Sequence, residues 1–355
     1  MASTSTDATS ESGCGDGAQT NPADLSADRP VARCAPGYPE PKPLTERAKV
    51  VISSSSKSEA AAFLYLAIQE GEFEKENLDV QLVDLRFAEA IPQMLTGQVQ
   101  VGTGSPEAAW YNAVGQDIGV HWVMGNFFPP HAGDVTIPQT GLWARRDIFT
   151  DPQNPDFTEL AGKTLGSAVG PSSAIMYPIN TALTALGVDI NTLQVQQLPS
   201  ADVVTALENG AVDAAWLLDP SWTAIADSPD YVLVATQPPG EPLGNIFFSD
   251  EWANQNHDAA VAVLRAMIRT INTYLAGDYE ADPAIVEKIA TAIDSTPEAV
   301  AGGASEPLTF DWELREGTTD RIQQTFETIG GVLQQPLIPE DQLVDRSLYT
   351  EAVTG

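Results

Sequence analysis

The sequence predicts an α/β protein of two similar lobes, each a mostly parallel sheet flanked by helices. Three observations carry that expectation. Strand-like and helix-like segments alternate from Lys49 onward, the order that produces parallel sheets. A phrase is written twice: "MLTGQVQVGTGSPEAA" at residues 94–109 and "ALENGAVDAAWLLDPSWTAI" at 206–225. In both, a helix-like end is followed by Gly, a short apolar run, a polar residue, Pro and a new helix-like start. The chain has 355 residues, too many for one small domain and suited to two.

The elements follow in order. "KVVIS" is a β-branched run, and "EAAAFLYLAIQEG" repeats apolar residues at helical spacing and stops at Gly71. "LDVQLVDL" alternates as a strand does. "FAEAIPQMLTG" is a short helix with Pro92 placed in its first turns, and "VQVGTG" is a strand. "SPEAAWYNAVGQ" opens with Ser105 as N-cap and Pro106 at the first helical position. "IGVHWVMGN" closes the first set as a strand. The second set reads "KTLGSAVG" strand, "SSAIMYPINTALTALG" helix, "LQVQQL" strand, "SADVVTALENG" helix, "VDAAWLL" strand and "DPSWTAIA" helix start. "GNIFFSDEWA" adds one more strand, and a mostly helical region follows from His257. The repeated phrase is therefore a helix–strand–loop–helix unit used once per lobe. In parallel sheets, ligands bind at the carboxyl ends of strands, where helix N-termini offer free N–H groups. Two such ends facing each other make a cleft.

Charge narrows the partners. The chain carries 49 acids against 17 bases, a net charge of −32. A phosphate backbone or an anionic membrane needs clustered Lys and Arg, so neither is expected. No apolar run approaches the roughly 20 residues of a membrane span. Residues 1–47 are rich in Ser, Thr, Asp, Gly and Pro and read as a disordered N-terminal tether. This composition suits the stalk behind a lipid-modified N-terminus from which a leader has been removed. Both cysteines, Cys14 and Cys34, fall in it. A disulfide between them, implying an oxidising compartment, stands beside the alternative of free thiols; two Cys without nearby His make a poor zinc site.

Four phrases in order, "AAAFLYLAIQEGEFEKENLDVQLV", "MLTGQVQVGTGSPEAA", "LAGKTLGSAVGPSSA" and "LENGAVDAAWLLDP", resemble the periplasmic substrate-binding proteins of ABC importers. The resemblance is to the group that binds nitrate, taurine, alkanesulfonates and thiamine-precursor pyrimidines, and it covers roughly residues 49–250. It implies a periplasmic-binding-protein clamshell with a two-strand hinge: residues 48–142 and 243–355 in one lobe, 143–242 in the other. The crossings fall near "TGLWARRD" and "EPLGNIFF". It implies a monomeric extracytoplasmic protein that closes around a small-molecule ligand and delivers it to a membrane permease, with no cofactor. A pyrimidine-synthesis enzyme reusing the fold, or a sensor-type binding protein, are the alternatives. The enzymatic branch carries a cysteine-rich motif, and this chain has no Cys after Cys34.

Candidate ligand-binding residues lie at the predicted strand ends. Ser53, Ser54 and Ser55 offer donors after the first strand, with Lys57 beside them. Arg86 follows the second strand and could clamp a carboxylate or sulfonate, or pair with Asp84 or Glu89. Gly104, Ser105 and Pro106 form a helix start in one lobe, and Ser172 and Ser173 form one in the other. Asp219 could accept from an amine or hydroxyl, or cap its own helix. Among the aromatics, Phe128 and Trp222 sit just past strand ends and are the preferred pair for a ring or alkyl group. The two bases favour a small organic anion; Asp219 and the aromatics favour an amine, a hydroxyl or a ring. Catalytic machinery is not legible: there are three histidines, with no HExxH, CxxC, GxSxG, P-loop or GxGxxG.

Overall fold

A computed structural model describes residues 13–26, 28–55, 57–129, 131–168, 170–218, 221–242, 244–303 and 308–355. In chain order its strands are β1 (Ala48–Ser53), β2 (Leu78–Val83), β3 (Val101–Gly104), β4 (Val120–Met124), β5 (Phe127–Phe128), β6 (Gly141–Arg145), β7 (Thr164–Ser167), β8 (Gln194–Gln197), β9 (Ala214–Leu217), β10 (Tyr231–Thr236), β11 (Asn245–Ser249) and β12 (Thr309–Phe310). The helices used below are α1 (Ala62–Gln69), α2 (Phe87–Leu95), α3 (Ala108–Val114), α4 (Met176–Ala185), α5 (Ser200–Glu208), α6 (Asp250–Gln255), α7 (His257–Tyr274), α8 (Pro283–Ala292), α9 (Pro297–Gly303), α10 (Thr318–Ile329) and α11 (Ser347–Thr354).

The strands form two five-stranded sheets, ordered β2-β1-β3-β11-β4 and β10-β6-β9-β7-β8. Counted from the β8 edge, the second sheet repeats the first. Each has a parallel core, β2-β1-β3 or β8-β7-β9. Each then admits one antiparallel strand beside the third, β11 or β6. The chain crosses between sheets through residues 129–140 and 237–244, and each crossing enters its new sheet as that antiparallel strand. The two copies of the repeated phrase become β3 and β9, the third strand of each sheet. β5 and β12 pair as a small ribbon where the first crossing begins.

Helices bury the faces of both sheets. The longest, α7, is buried from Ala259 to Asn272 and includes Arg265 and Arg269, so its charges need internal partners. They find them in Glu76, wholly buried, and Glu72, 2% exposed. Arg265 Nη2 and Arg269 Nη1 lie 2.8 and 2.7 Å from Glu76, and Arg269 Nε lies 2.6 Å from Glu72.

The N-terminal segment departs from its expectation. Residues 1–12 lie outside the described residues, and in its described part, residues 13–26 and 28–47, the expected tether is a strap packed on the first lobe. Ala18, Ala32 and Cys34 join its hydrophobic core, and a disulfide links Cys14 to Cys34. The polar composition concealed this because hydrogen bonds to groups distant in sequence add to the little apolar surface the strap buries. Cys34 N–H donates to Asn272 Oδ1, Arg269 donates to the Pro39 carbonyl, and Thr20 N–H donates to Glu313.

Candidate functional site

The carboxyl ends of β1, β2 and β3 share one edge of the first sheet, set by registers Ser53 to Val83 and Ser53 to Gly102. The loop at residues 104–107 leaves this edge toward the second lobe. Gly104 is required by contact: a Cβ there would stand 2.8 Å from Phe87 Cβ, and Phe87 is itself stacked on Phe247 at 3.9 Å. Helix α3 begins two residues later than expected. Its N-cap is Glu107, not Ser105, with φ −87° and ψ 158°. The Ala108 N–H that would face a ligand instead donates to the Ser172 carbonyl at 2.8 Å, across the lobes.

That bond belongs to a larger contact. Ala174 and Tyr177, at the head of the second lobe's first helix α4, pack in one apolar cluster with Trp110, Tyr111, Ile322 and Phe326. Helix α10 touches both lobes: Ile322 and Phe326 enter the cluster, while Asn180 donates to Thr325 and Asn191 to the Thr328 carbonyl. Arg321 on α10 pairs with Glu241 of the second crossing. Burial first, and then the Glu241 carboxylate, push the Tyr177 hydroxyl pKa upward. The lobes thus meet directly over part of the expected cleft.

The expected ligand residues divide into three groups. Ser53 and Ser54 are buried at the end of β1, Ser53 Oγ without a partner among the described residues and Ser54 Oγ 3.4 Å from Tyr65 Oη. Ser55 is exposed, Ser105 half-buried and Pro106 buried on the same edge. Opposite them, Ser172 is exposed and Ser173 is buried. The two groups are linked where the Ala108 N–H donates to the Ser172 carbonyl. Lys57 and Arg86 lie on the rim and are already paired, Lys57 with Asp294 and Arg86 with Glu89 at 2.6 Å. The Arg86 backbone N–H at the start of α2 also donates to Glu89, at 3.1 Å. Both pairs are largely exposed, so they hold the cations only weakly. Phe128 and Trp222 are both buried. Phe128 lies under the Arg29 guanidinium, 5.5 Å from its ring centre, and Trp222 packs in the second lobe's core beside Trp143 and Val203. Large apolar rings gain more from that burial than from a wet cleft. Asp219 lies outside the described residues. The expected helix after it is, in its described part, a 3-10 turn, Ser221–Ala224.

Glu107 was not singled out by the sequence. Desolvation raises its carboxyl pKa, Arg86 opposes that rise and Glu89 adds to it. It is the N-cap of α3, directly before the Ala108 N–H that bonds to the second lobe. Its only sequence signal was proximity to the repeated Pro. Among the described residues no group of three or more His, Cys, Asp or Glu is arranged to hold a metal, and no helix is long and apolar enough to cross a membrane.

This pair of sheets, with two crossings and strand ends face to face, defines the periplasmic-binding-protein fold. The chain belongs to the NMT1/THI5-like family, whose model matches residues 59–281. No curated protein matches it in sequence. Among solved structures it is similar to the periplasmic aliphatic sulphonate binding protein of Escherichia coli, at 13% identity and TM-score 0.62, covering 85% of this chain and 93% of that one. It is also similar to the alkanesulfonate-binding protein of Xanthomonas axonopodis pv. citri bound to MOPS, at 16% and 0.57, covering 87% and 99%. The periplasmic nitrate-binding protein of Synechocystis matches at 12% and 0.58, covering 88% and 89%. At these identities the likeness is one of fold.

Proposed function

We propose that the protein is the extracytoplasmic solute-binding component of an ABC importer, lipid-anchored at its N-terminus, acting without chemistry of its own. It captures a small organic anion, a sulfonate or carboxylate, as its lobes close, and delivers it to a membrane permease as a monomer. The observation that carries this reading is the facing of two strand-end edges, serines on both, joined by two crossings. Lys57 and Arg86 on the rim supply the charge for the anion. Their present partners are exposed, so the cations turn to a ligand at little cost. The sulfonate and nitrate proteins of the same fold bind anions, which supports the class. A heterocycle is the second reading, favoured by the prior engagement of both cations with Asp294 and Glu89.

A thermal-shift panel of alkanesulfonates, taurine, aromatic carboxylates, nitrate and pyrimidines tests this. A true ligand at 100 times its dissociation constant adds about 2.7 kcal/mol of stability. Shifts confined to sulfonates or carboxylates, and weakened in Arg86→Ala and Lys57→Ala, are expected. Shifts with pyrimidines alone would move the assignment to the heterocycle.

A further inference from the structure

The strap at residues 13–47 lies outside the segment that the family model matches, yet its tip reaches the hinge. Its base is fixed to the first lobe. Cys34 N–H is bonded to Asn272 of α7, and Gln19 Nε2 donates to Thr350 of α11 at 2.8 Å. Between these anchors the loop closed by Cys14 and Cys34 runs out over the segment that follows β12. Arg315 donates to Thr20 Oγ1 and the Asn21 carbonyl, and Glu316 N–H donates to the Pro22 carbonyl at 2.9 Å.

At the far end of the loop stands Arg29, its side chain 1% exposed. It is bound on three sides. Nη2 lies 2.8 Å from Asp311, which is also held by Arg315 at 2.7 Å. The same nitrogen donates to the carbonyl of Gly240, in the middle of the second crossing. The guanidinium sits over Phe128, the last residue before the first crossing. Gly240 has φ +66°, and a Cβ there would collide with the Arg29 guanidinium, so the crossing is shaped to receive that side chain. One residue of the strap therefore touches the second crossing and the residue from which the first one starts.

We infer that the disulfide-closed loop is a hinge clamp, with Arg29 as the positioning residue that fixes both crossings to the first lobe and so limits how readily the lobes part. The disulfide contributes by holding the loop's two anchored ends together, which keeps Arg29 from being withdrawn with a loosened strand. The clamp involves no ligand and acts the same whatever the cleft carries.

Residue-resolved hydrogen exchange on the full chain tests it. Among the described residues the Ala108 amide donates to the Ser172 carbonyl of the other lobe, so its exchange reports lobe separation. Two perturbations are compared with the oxidised wild type. One is Arg29→Gln. The other is reduction by dithiothreitol, which supplies two electrons and two protons, leaving Cys14 and Cys34 as thiols and itself as a cyclic disulfide. Reduction keeps the test available if Arg29→Gln does not fold. Exchange at Ala108 faster by about tenfold or more, with the amides of α7 unchanged, is expected. Unchanged or slower exchange at Ala108, or equal acceleration at Ala108 and throughout α7, would overturn the clamp and leave the loop a general stabiliser.

Discussion

Glu76→Gln isolates the buried charge network that joins strap, first lobe and α7. Glu76 Oε2 accepts from Arg265 Nε at 3.0 Å, Arg265 Nη2 at 2.8 Å and the Lys42 backbone N–H at 3.1 Å; Oε1 accepts from Arg269 Nη1 at 2.7 Å. Two guanidiniums thus face two carboxylates, Glu72 and Glu76, with the four side chains at most 8% exposed. Glutamine keeps the volume but removes one negative charge and replaces acceptor lone pairs with an NH2 that points donors at donors. The core is left with an uncompensated cation, and breaking a buried pair in this way costs about 3–5 kcal/mol. That is a large share of the 5–15 kcal/mol by which domains are typically stable. Urea unfolding followed by tryptophan fluorescence reads the change as a lowered midpoint. As a contrast, Arg47→Ala breaks an exposed pair with Asp79 at 3.6 Å and should cost under about 1 kcal/mol. A loss below about 1 kcal/mol for Glu76→Gln as well would refute the claim that burial makes this network decisive.

The remaining predictions concern pH, packing and salt. His121 Nδ1 lies 2.6 Å from Asp250, and this hydrogen bond raises the imidazole pKa against a smaller effect of burial. Its stabilisation is therefore fully present below about pH 6.5 and is lost as pH rises through the raised value. Asp250→Asn should flatten that slope in melting temperature, and an unchanged slope would contradict the assignment. Gly104→Ala should destabilise by roughly 1–3 kcal/mol, because its Cβ meets Phe87 and displaces the loop that reaches Ser172; an undiminished melting temperature would show that the loop yields freely. With a net charge of −32, raising salt from 0.1 to 1 M shortens the screening length from about 10 to about 3 Å and should raise the melting temperature. A fall over that range would mean that exposed ion pairs outweigh acid–acid repulsion.

Much of the fold was legible because its signals are local. Helical spacing in "AAAFLYLAIQ" and the repeated strand phrase locate α1, β3 and β9, and the repetition itself points to two like sheets. β10 was not read, although "YVLVAT" is β-branched, because no helix follows it: it pairs antiparallel to β6 at a sheet edge. The helix start at Ser105 was misplaced by two residues because Ser-Pro-Glu matches a capping pattern, while the deciding contact, Ala108 to Ser172, comes from the other lobe. The strap was missed for the same kind of reason. Composition measures what a segment can bury by itself, whereas residues 13–47 borrow the polar groups of Asn272, Arg269 and Glu313. At the site, the serine edges follow from strand ends, but the ion pairs of Lys57 and Arg86 and the burial of Phe128 and Trp222 depend on neighbours distant in sequence or on packing that no local pattern records.

Small-angle scattering of the purified protein, with and without the compound that raises its melting temperature most, tests capture by lobe closure most directly. A smaller radius of gyration on saturation is expected, with the compound recovered unaltered by mass spectrometry after denaturation. An unchanged radius, or a compound recovered as a chemically different product, would contradict it.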